Sequence, residues 1–286
     1  MIIAQMTDIH IGFEPEARPE ELNRQRFRAV VDRLQKQPNP VDLLLLTGDI
    51  TDRGDRDSFE KTAELLSELD TPVKALVGNH DTREELLNAF PDTPTTDEGF
   101  IQSAWVEDGL LVILLDTLEP GRHGGAFCES RAAWLAGVLA DNPDVPAVIF
   151  MHHPPVISGI AWMDPDPADK WLARLCEALS GHEARVQAIH CGHLHRQLSA
   201  RFCGIPVSVT PSVAPLVSMD MRPISSTKPD SRALITTEPP TYALHRWEKG
   251  HLASHYERVG DWDVLAYYGP HLVPMIKHME DEKGLG

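Results

Sequence analysis

Cysteine is scarce in this chain of 286 residues: there are four, Cys128, Cys176, Cys191 and Cys203, far apart and with no CxxC pair. A chain this long can bury a core without covalent staples, so reduced thiols are expected. Positive charge is also short. Lys and Arg total 26 against 43 Asp and Glu, giving a net charge of −17 and a pI near 5.2. That balance repels polyanions and argues against nucleic-acid polymers and anionic membrane surfaces as partners. A small phosphoester is a different case, because a bound cation dominates the field around it. No apolar run approaches the ~18 residues of a membrane span. Met1 leads straight into Ile2-Ile3-Ala4-Gln5-Met6 without a basic segment or a small-residue cleavage site; no signal peptide is expected, and the expected address is cytoplasmic. There is no internal repeat and no low-complexity tract. Gly124-Gly125 is no phosphate cradle, since no lysine and helix start follow at the required spacing.

What is present is an ordinary globular composition, 42% apolar and 24% charged, in a length that α/β folds often use as one domain. Short apolar runs alternate with amphipathic ones over the first 210 residues, the pattern of βα units. Strands are expected at Ile2–Met6, Leu43–Thr47, Val73–Val77, Leu111–Leu115, Ala147–Met151 and Val186–Cys191. Helices are expected over 20–36, 57–69, 82–89, 130–140 and 168–180. The Leu43–Leu46 and Leu111–Leu115 runs lack polar alternation and read as strands buried on both faces. Residues 1–210 thus form a core. Residues 211–286 add a proline-interrupted cap loop, a hairpin turning at Lys249-Gly250 that extends a second sheet, and an apolar tail suited to packing on the body or on another copy.

The chemistry sits in five motifs, each following an apolar strand: Asp8-x-His10, Gly48-Asp49, Gly78-Asn79-His80-Asp81, His152-His153-Pro154-Pro155 and Gly192-His193-x-His195. Taken singly, each reads as a turn or a surface histidine. Five in order, all at strand ends where a parallel sheet gathers functional groups, point to a metal pocket. Residues two apart on a strand share a face, so Asp8 with His10, and His193 with His195, can approach one ion. Carboxylate, carboxamide and imidazole without thiolate suit iron, manganese or zinc and select none of them. Of the other histidines, His153 is expected to point away from its neighbour His152, with support of the site or substrate contact the lesser alternative; His190 is expected to be packed and hydrogen-bonded, and His245, His251, His255, His271 and His278 to be solvated. His123 lies on a glycine-flanked loop that could line a pocket.

This set of motifs resembles the calcineurin-like metallophosphoesterases, and within them the class III cyclic nucleotide phosphodiesterases and the glycerophosphodiesterases. The resemblance spans residues 8–195. It implies an α/β fold, a four-layer αββα sandwich of two mixed sheets flanked by helices, with a dinuclear centre at the sheet edge. Asp8, His10 and His195 would hold one metal ion, Asn79, His152 and His193 the second, and Asp49 would bridge the two. His80 would stand beside the ions as the catalytic group, with Asp81 orienting its ring. The activity implied is hydrolysis of a small phosphodiester, a 3′,5′-cyclic nucleotide or a glycerophosphodiester. A phosphomonoesterase or nucleotide pyrophosphatase on the same centre is the alternative, and a non-catalytic scaffold of the same fold is a third reading. Gly48-Asp49 extends to Asp52-Arg53-Gly54, as in protein Ser/Thr phosphatases, but Val77 stands where those enzymes usually carry arginine. The segment Val156 to Pro167, with Gly159, Trp162 and Met163-Asp164, is similar to a substrate-side loop, whereas Pro211 to Pro215 lacks the second non-ligand histidine that some relatives place there.

Overall fold

Leu110–Leu115 shows how the layers form. In a computed structural model of the protein, which describes residues 1–13 and 21–284, this strand is buried along its whole length. Leu110, Val112 and Leu114 join one hydrophobic cluster while Leu111, Ile113 and Leu115 join another. Successive strand residues face opposite ways, so this sheet must be covered on both sides. One side meets the other sheet and the other side meets helices.

In chain order the elements are β1 (Ile2–Met6), α1 (Leu22–Gln35), β2 (Leu43–Thr47), α2 (Arg56–Leu66), β3 (Val73–Leu76), α3 (Arg83–Ala89), β4 (Ser103–Glu107), β5 (Leu110–Leu115), α4 (Glu129–Asp141), β6 (Ala147–Met151), α5 (Lys170–Leu179), β7 (Val186–Cys191), β8 (Leu198–Phe202), β9 (Ile205–Val209), β10 (Leu216–Val217), β11 (Ile235–Thr236), β12 (Thr241–Glu248), β13 (His251–Arg258) and α6 (Val273–Glu282). The first sheet runs β13-β12-β1-β2-β3 and the second β4-β5-β6-β7-β9-β8, with β10 and β11 forming a separate two-stranded ribbon. Strands β1, β2 and β3 are parallel, as are β5, β6, β7 and β9, while β12, β13, β4 and β8 run antiparallel to their neighbours. Phe27, Val30 and Val31 of α1 and Phe59 and Leu65 of α2 pack in the cluster of the first sheet; Leu135 of α4 and Leu175 of α5 pack in that of the second. The result is the expected α/β sandwich of two mixed sheets flanked by helices. Helix α2 starts where Asp55 accepts a hydrogen bond from the Ser58 amide at 3.0 Å, an N-cap. Residue 20, where the first helix was expected to begin, lies outside the described residues.

Several expectations need correction. Cys176 of α5 and Cys203, in the turn between β8 and β9, are joined by a disulfide, with Cα atoms 5.8 Å apart; Cys128 and Cys191 are free. The separation of 27 residues between Cys176 and Cys203 carried no trace of that approach. The C-terminal hairpin turns where expected, but β12 pairs with β1 and therefore extends the first sheet, not the second. His245 is buried rather than solvated, because alternation along β12 points it inward. There it stacks on the packed His190, ring centroids 3.9 Å apart, with its Nε2 3.0 Å from Gln5 Oε1. Helix α6 buries none of its residues, leaving Val273, Met275 and Met279 exposed together with Trp262, Leu265, Tyr267 and Tyr268. Among the described residues no helix is long and apolar enough to cross a membrane.

Candidate metal centre and its cleft

Parallel strands end at a common edge, and the five motifs are the segments that leave β1, β2, β3, β6 and β7 at that edge. Strand geometry stops before the functional residues. Asp8, His10, Asp49, His193 and His195 all have left-handed backbones, with φ of 51°, 49°, 48°, 69° and 54°. Non-glycine residues rarely adopt this conformation, and it costs free energy that the surrounding contacts must offset. The expectation that pleat alternation brings motif residues together is therefore replaced by tight turns. Asp8 and His10 do share a cluster with His195, but His193 lies in a different one, with His152 and His153.

Asp49 occupies the middle. It is buried, and its Oδ2 lies 3.2 Å from His152 Nε2 and 3.6 Å from His10 Nε2, while Oδ1 accepts a hydrogen bond from the His80 amide at 2.8 Å. Asp8 Oδ1 lies 3.4 Å from His195 Nε2 and 3.9 Å from His152 Nε2, and both Asp8 oxygens accept from the His193 amide. Asn79 Oδ1 stands 3.0 Å from His193 Nδ1. The glycines of the motifs are demanded by these approaches. A Cβ on Gly78 would fall 2.2 Å from Asp49 Oδ1, and one on Gly192 would fall 1.9 Å from Thr7 Oγ1.

The ring tautomers suit metal ions. His152 Nδ1 donates to the Thr47 carbonyl at 2.9 Å and His195 Nδ1 to the Pro215 carbonyl at 2.9 Å, while His10 Nδ1 faces Asp52 Oδ1 at 3.4 Å. Each thereby turns its Nε2 lone pair toward the carboxylates of Asp8 and Asp49. Such outer partners are how proteins fix metal-ligating imidazoles. His152 Nε2 is buried without a hydrogen-bond partner, and the Nε2 atoms of His10 and His195 face each other at 3.1 Å. Lone pairs aimed at one another across that gap make sense around a cation and poorly without one. Burial keeps His195 neutral, lowering its pKa to about 4, and together with the neighbouring His153 and His152 holds His193 well below the usual imidazole range. Burial opposes charge on Asp49, yet the imidazoles of His152, His10 and His80 hold its carboxyl well below the usual range. In the metal-free protein the Asp49 and Asp8 carboxylates outweigh burial and raise His152 to about 9. The donor set therefore fits a pair of cations.

His80 borders this cluster, in a group with His10 and Asp49. Its ring is oriented by the Asp52 carbonyl, 2.8 Å from Nδ1, and not by Asp81. The expected role of Asp81 needs this correction: its carboxylate accepts from the amides of Ile50, Thr51 and Gly78 and from the Thr51 hydroxyl, all within 3.1 Å, and so ties two motif loops together. Burial, with Asp49 nearby, raises its pKa to about 6. His153 is buried with Nδ1 2.8 Å from Thr117 Oγ1, its ring centroid is 4.8 Å from that of His193, and it shares one possible ligand group with His152 and His193. His123 does line the cleft, its ring centroid 4.8 Å from that of His193.

Two residues escaped the sequence reading. Asp52 serves both His10 and His80. Arg26, buried in α1, donates to the carbonyls of Val213 at 2.7 Å, Ala214 at 3.0 Å and Glu238 at 2.7 Å. It thereby fixes the segment whose Pro215 carbonyl holds His195. Burial lowers its pKa to about 10. Both partnerships involve backbone carbonyls, which residue spacing does not encode. Besides the imidazoles and carboxylates, the cleft is lined by the apolar Phe13, Trp162, Met163, Pro215, Val217 and Ile235. The Trp162-Met163 segment is pinned by Asp164, which accepts from the amides of Ser158 at 2.7 Å and Gly159 at 3.0 Å.

Comparison with known proteins agrees with this geometry. The pattern of the calcineurin-like phosphoesterases matches residues 1–197. A probable glycerophosphodiester phosphodiesterase of Arcobacter nitrofigilis is 31% identical over 267 residues, 92% of this chain and 95% of the relative. A probable cyclic nucleotide phosphodiesterase of Rhodopseudomonas palustris is 32% identical over 206 residues, 69% of this chain and 72% of the relative. Among solved structures, a purple acid phosphatase from yellow lupin superposes with a TM-score of 0.59 at 12% identity, covering 92% of this chain and 52% of that one, a likeness of fold. This chain spans about half of that phosphatase's length.

Proposed function

The chain belongs to the calcineurin-like phosphoesterase family, and we propose that it hydrolyses a small phosphodiester, a 3′,5′-cyclic nucleotide or a glycerophosphodiester, to the corresponding monoester. As a metal-dependent phosphodiesterase it works through a dinuclear centre of the family's kind. The observation that carries the reading is the convergence around Asp49 of buried imidazole and carboxylate donors, with His152 and His195 held from outside by main-chain carbonyls. We assign Asp8, His10 and His195 to one ion and Asn79, His152 and His193 to the other, with Asp49 shared. Iron, manganese and zinc all suit this donor set. Bound there, paired cations acidify water and clamp phosphoryl oxygens.

The remaining work falls to the protein's own groups. His80, with Nδ1 committed to the Asp52 carbonyl, presents Nε2 to the cleft, where in its doubly protonated form it can give a proton to the departing alkoxide. Arg26 and Asp52 act as positioning residues, the first through His195 and the second through His10 and His80. Reconstituted with manganese or zinc, the protein is expected to cleave bis(p-nitrophenyl) phosphate faster than p-nitrophenyl phosphate. A strong preference for the monoester would overturn the assignment in favour of a phosphomonoesterase.

We further infer that the protein self-associates through its C-terminal tail, because α6 and the aromatic segment before it expose apolar surface that water disfavours. Light scattering is expected to give at least twice the 31.8 kDa chain mass; a strict monomer would rule this out.

A further inference from the structure

The cleft beside the ligand cluster is lined by two unlike kinds of side chain. Apart from the indole N–H of Trp162, every polar side chain lining it among the described residues is a histidine or an aspartate, and all but His123 belong to the motifs or to Asp52. The rest of the lining is largely apolar and forms an apolar wall drawn from three separate places: Phe13 after β1, Trp162 and Met163 before α5, and Val217 with Ile235 from the β10–β11 ribbon. Among the described residues no lysine, arginine, serine, threonine, asparagine or glutamine lines this cleft. The apolar wall is held in place, through Asp164 on one side and through the ribbon pairing Val217 with Ile235 on the other. Ile235 leaves 47% of its surface exposed, so apolar area remains for a ligand to cover.

A bound phosphodiester must put its phosphoryl oxygens toward the imidazole and carboxylate wall and one ester substituent toward the other. Glycerol there would bring hydroxyls against Phe13, Met163, Val217 and Ile235, with the Trp162 indole N–H the one strong side-chain partner among the apolar residues, and an unpaired buried hydroxyl is costly. A flat apolar group loses nothing there and gains stacking on Trp162 or Phe13. Resting on the phosphodiesterase reading above, we propose that this wall selects diesters bearing an aromatic substituent, a nucleoside or aryl group, over glycerol diesters, with Trp162 the main specificity-determining contact.

The test compares metal-loaded wild type, Trp162→Ala and Trp162→Phe on 3′,5′-cyclic AMP and on glycerophosphoglycerol, which has no base and no cation to sit on a ring. Trp162→Ala is expected to lower kcat/KM for the cyclic nucleotide by about tenfold, the size of one base-stacking contact, and through KM. The ratio of kcat/KM on the cyclic nucleotide to that on glycerophosphoglycerol should therefore fall several-fold, because only the cyclic nucleotide loses a stacking contact. Adenosine, which lacks the phosphate, should inhibit wild type and Trp162→Phe but bind Trp162→Ala about tenfold more weakly, by the same stacking argument. Equal losses on both diesters, or a wild-type preference for glycerophosphoglycerol, would overturn the selectivity while leaving the phosphodiesterase intact. Absence of turnover on both diesters by metal-loaded wild type would instead bring down the phosphodiesterase reading beneath it.

Discussion

Asp49→Asn is expected to lower kcat/KM by about a thousandfold or more and to leave fewer than two metal ions per chain. Loss of a partner one bond removed from a metal typically costs about 10–100-fold, and Asp49 is proposed to touch both ions. The carboxamide keeps the size of the side chain and an oxygen that can accept from the His80 amide, 2.8 Å from Oδ1 in the native site. What it removes is the negative charge lying 3.2 Å from His152 Nε2 and 3.6 Å from His10 Nε2. Fold and loss of function can therefore be separated: the circular dichroism spectrum should match that of wild type while metal content falls. Near-normal turnover with two metals retained would show that Asp49 does not bridge.

His80→Ala should behave differently. Metal content is expected to stay near that of wild type while kcat falls by about 10²–10⁴-fold, the usual contribution of general-acid assistance. The distinction follows from geometry. His80 borders the cluster through Asp49 and His10, but its Nδ1 is occupied by the Asp52 carbonyl at 2.8 Å and its ring lies edge-on to His10, centroids 4.7 Å apart. Good leaving groups need little protonation, so the loss should be smaller for p-nitrophenyl esters than for a cyclic nucleotide. Unchanged kcat on both would remove His80 from the reaction, and a parallel loss of metal would make it a ligand instead.

The apolar strands were legible because burial on both faces leaves a plain signature. Leu43–Thr47 and Ala147–Met151 are fully buried runs, found at the ends expected of them. Strands β8 and β9 were missed because Leu198–Phe202 is a half-buried edge strand and Ile205–Val209 carries Pro206, a residue that argues against strand. The motif residues could be picked out by type and order, yet not how they converge. That depends on left-handed turns at Asp8, His10, Asp49, His193 and His195, which send His193 and His195 to different clusters despite their spacing of two. Nor could spacing tell that Asp52, rather than Asp81, steadies His80, since the contact runs through a main-chain carbonyl. The Cys176–Cys203 bridge likewise exists only once α5 and the β8–β9 turn are folded side by side.

Anomalous X-ray scattering from crystals grown with excess manganese tests the dinuclear centre most directly. Two peaks about 3.5–4 Å apart are expected, one bounded by Asp8, His10 and His195, the other by Asn79, His152 and His193, with Asp49 reaching both. A single peak, or manganese bound away from these side chains, would contradict the account.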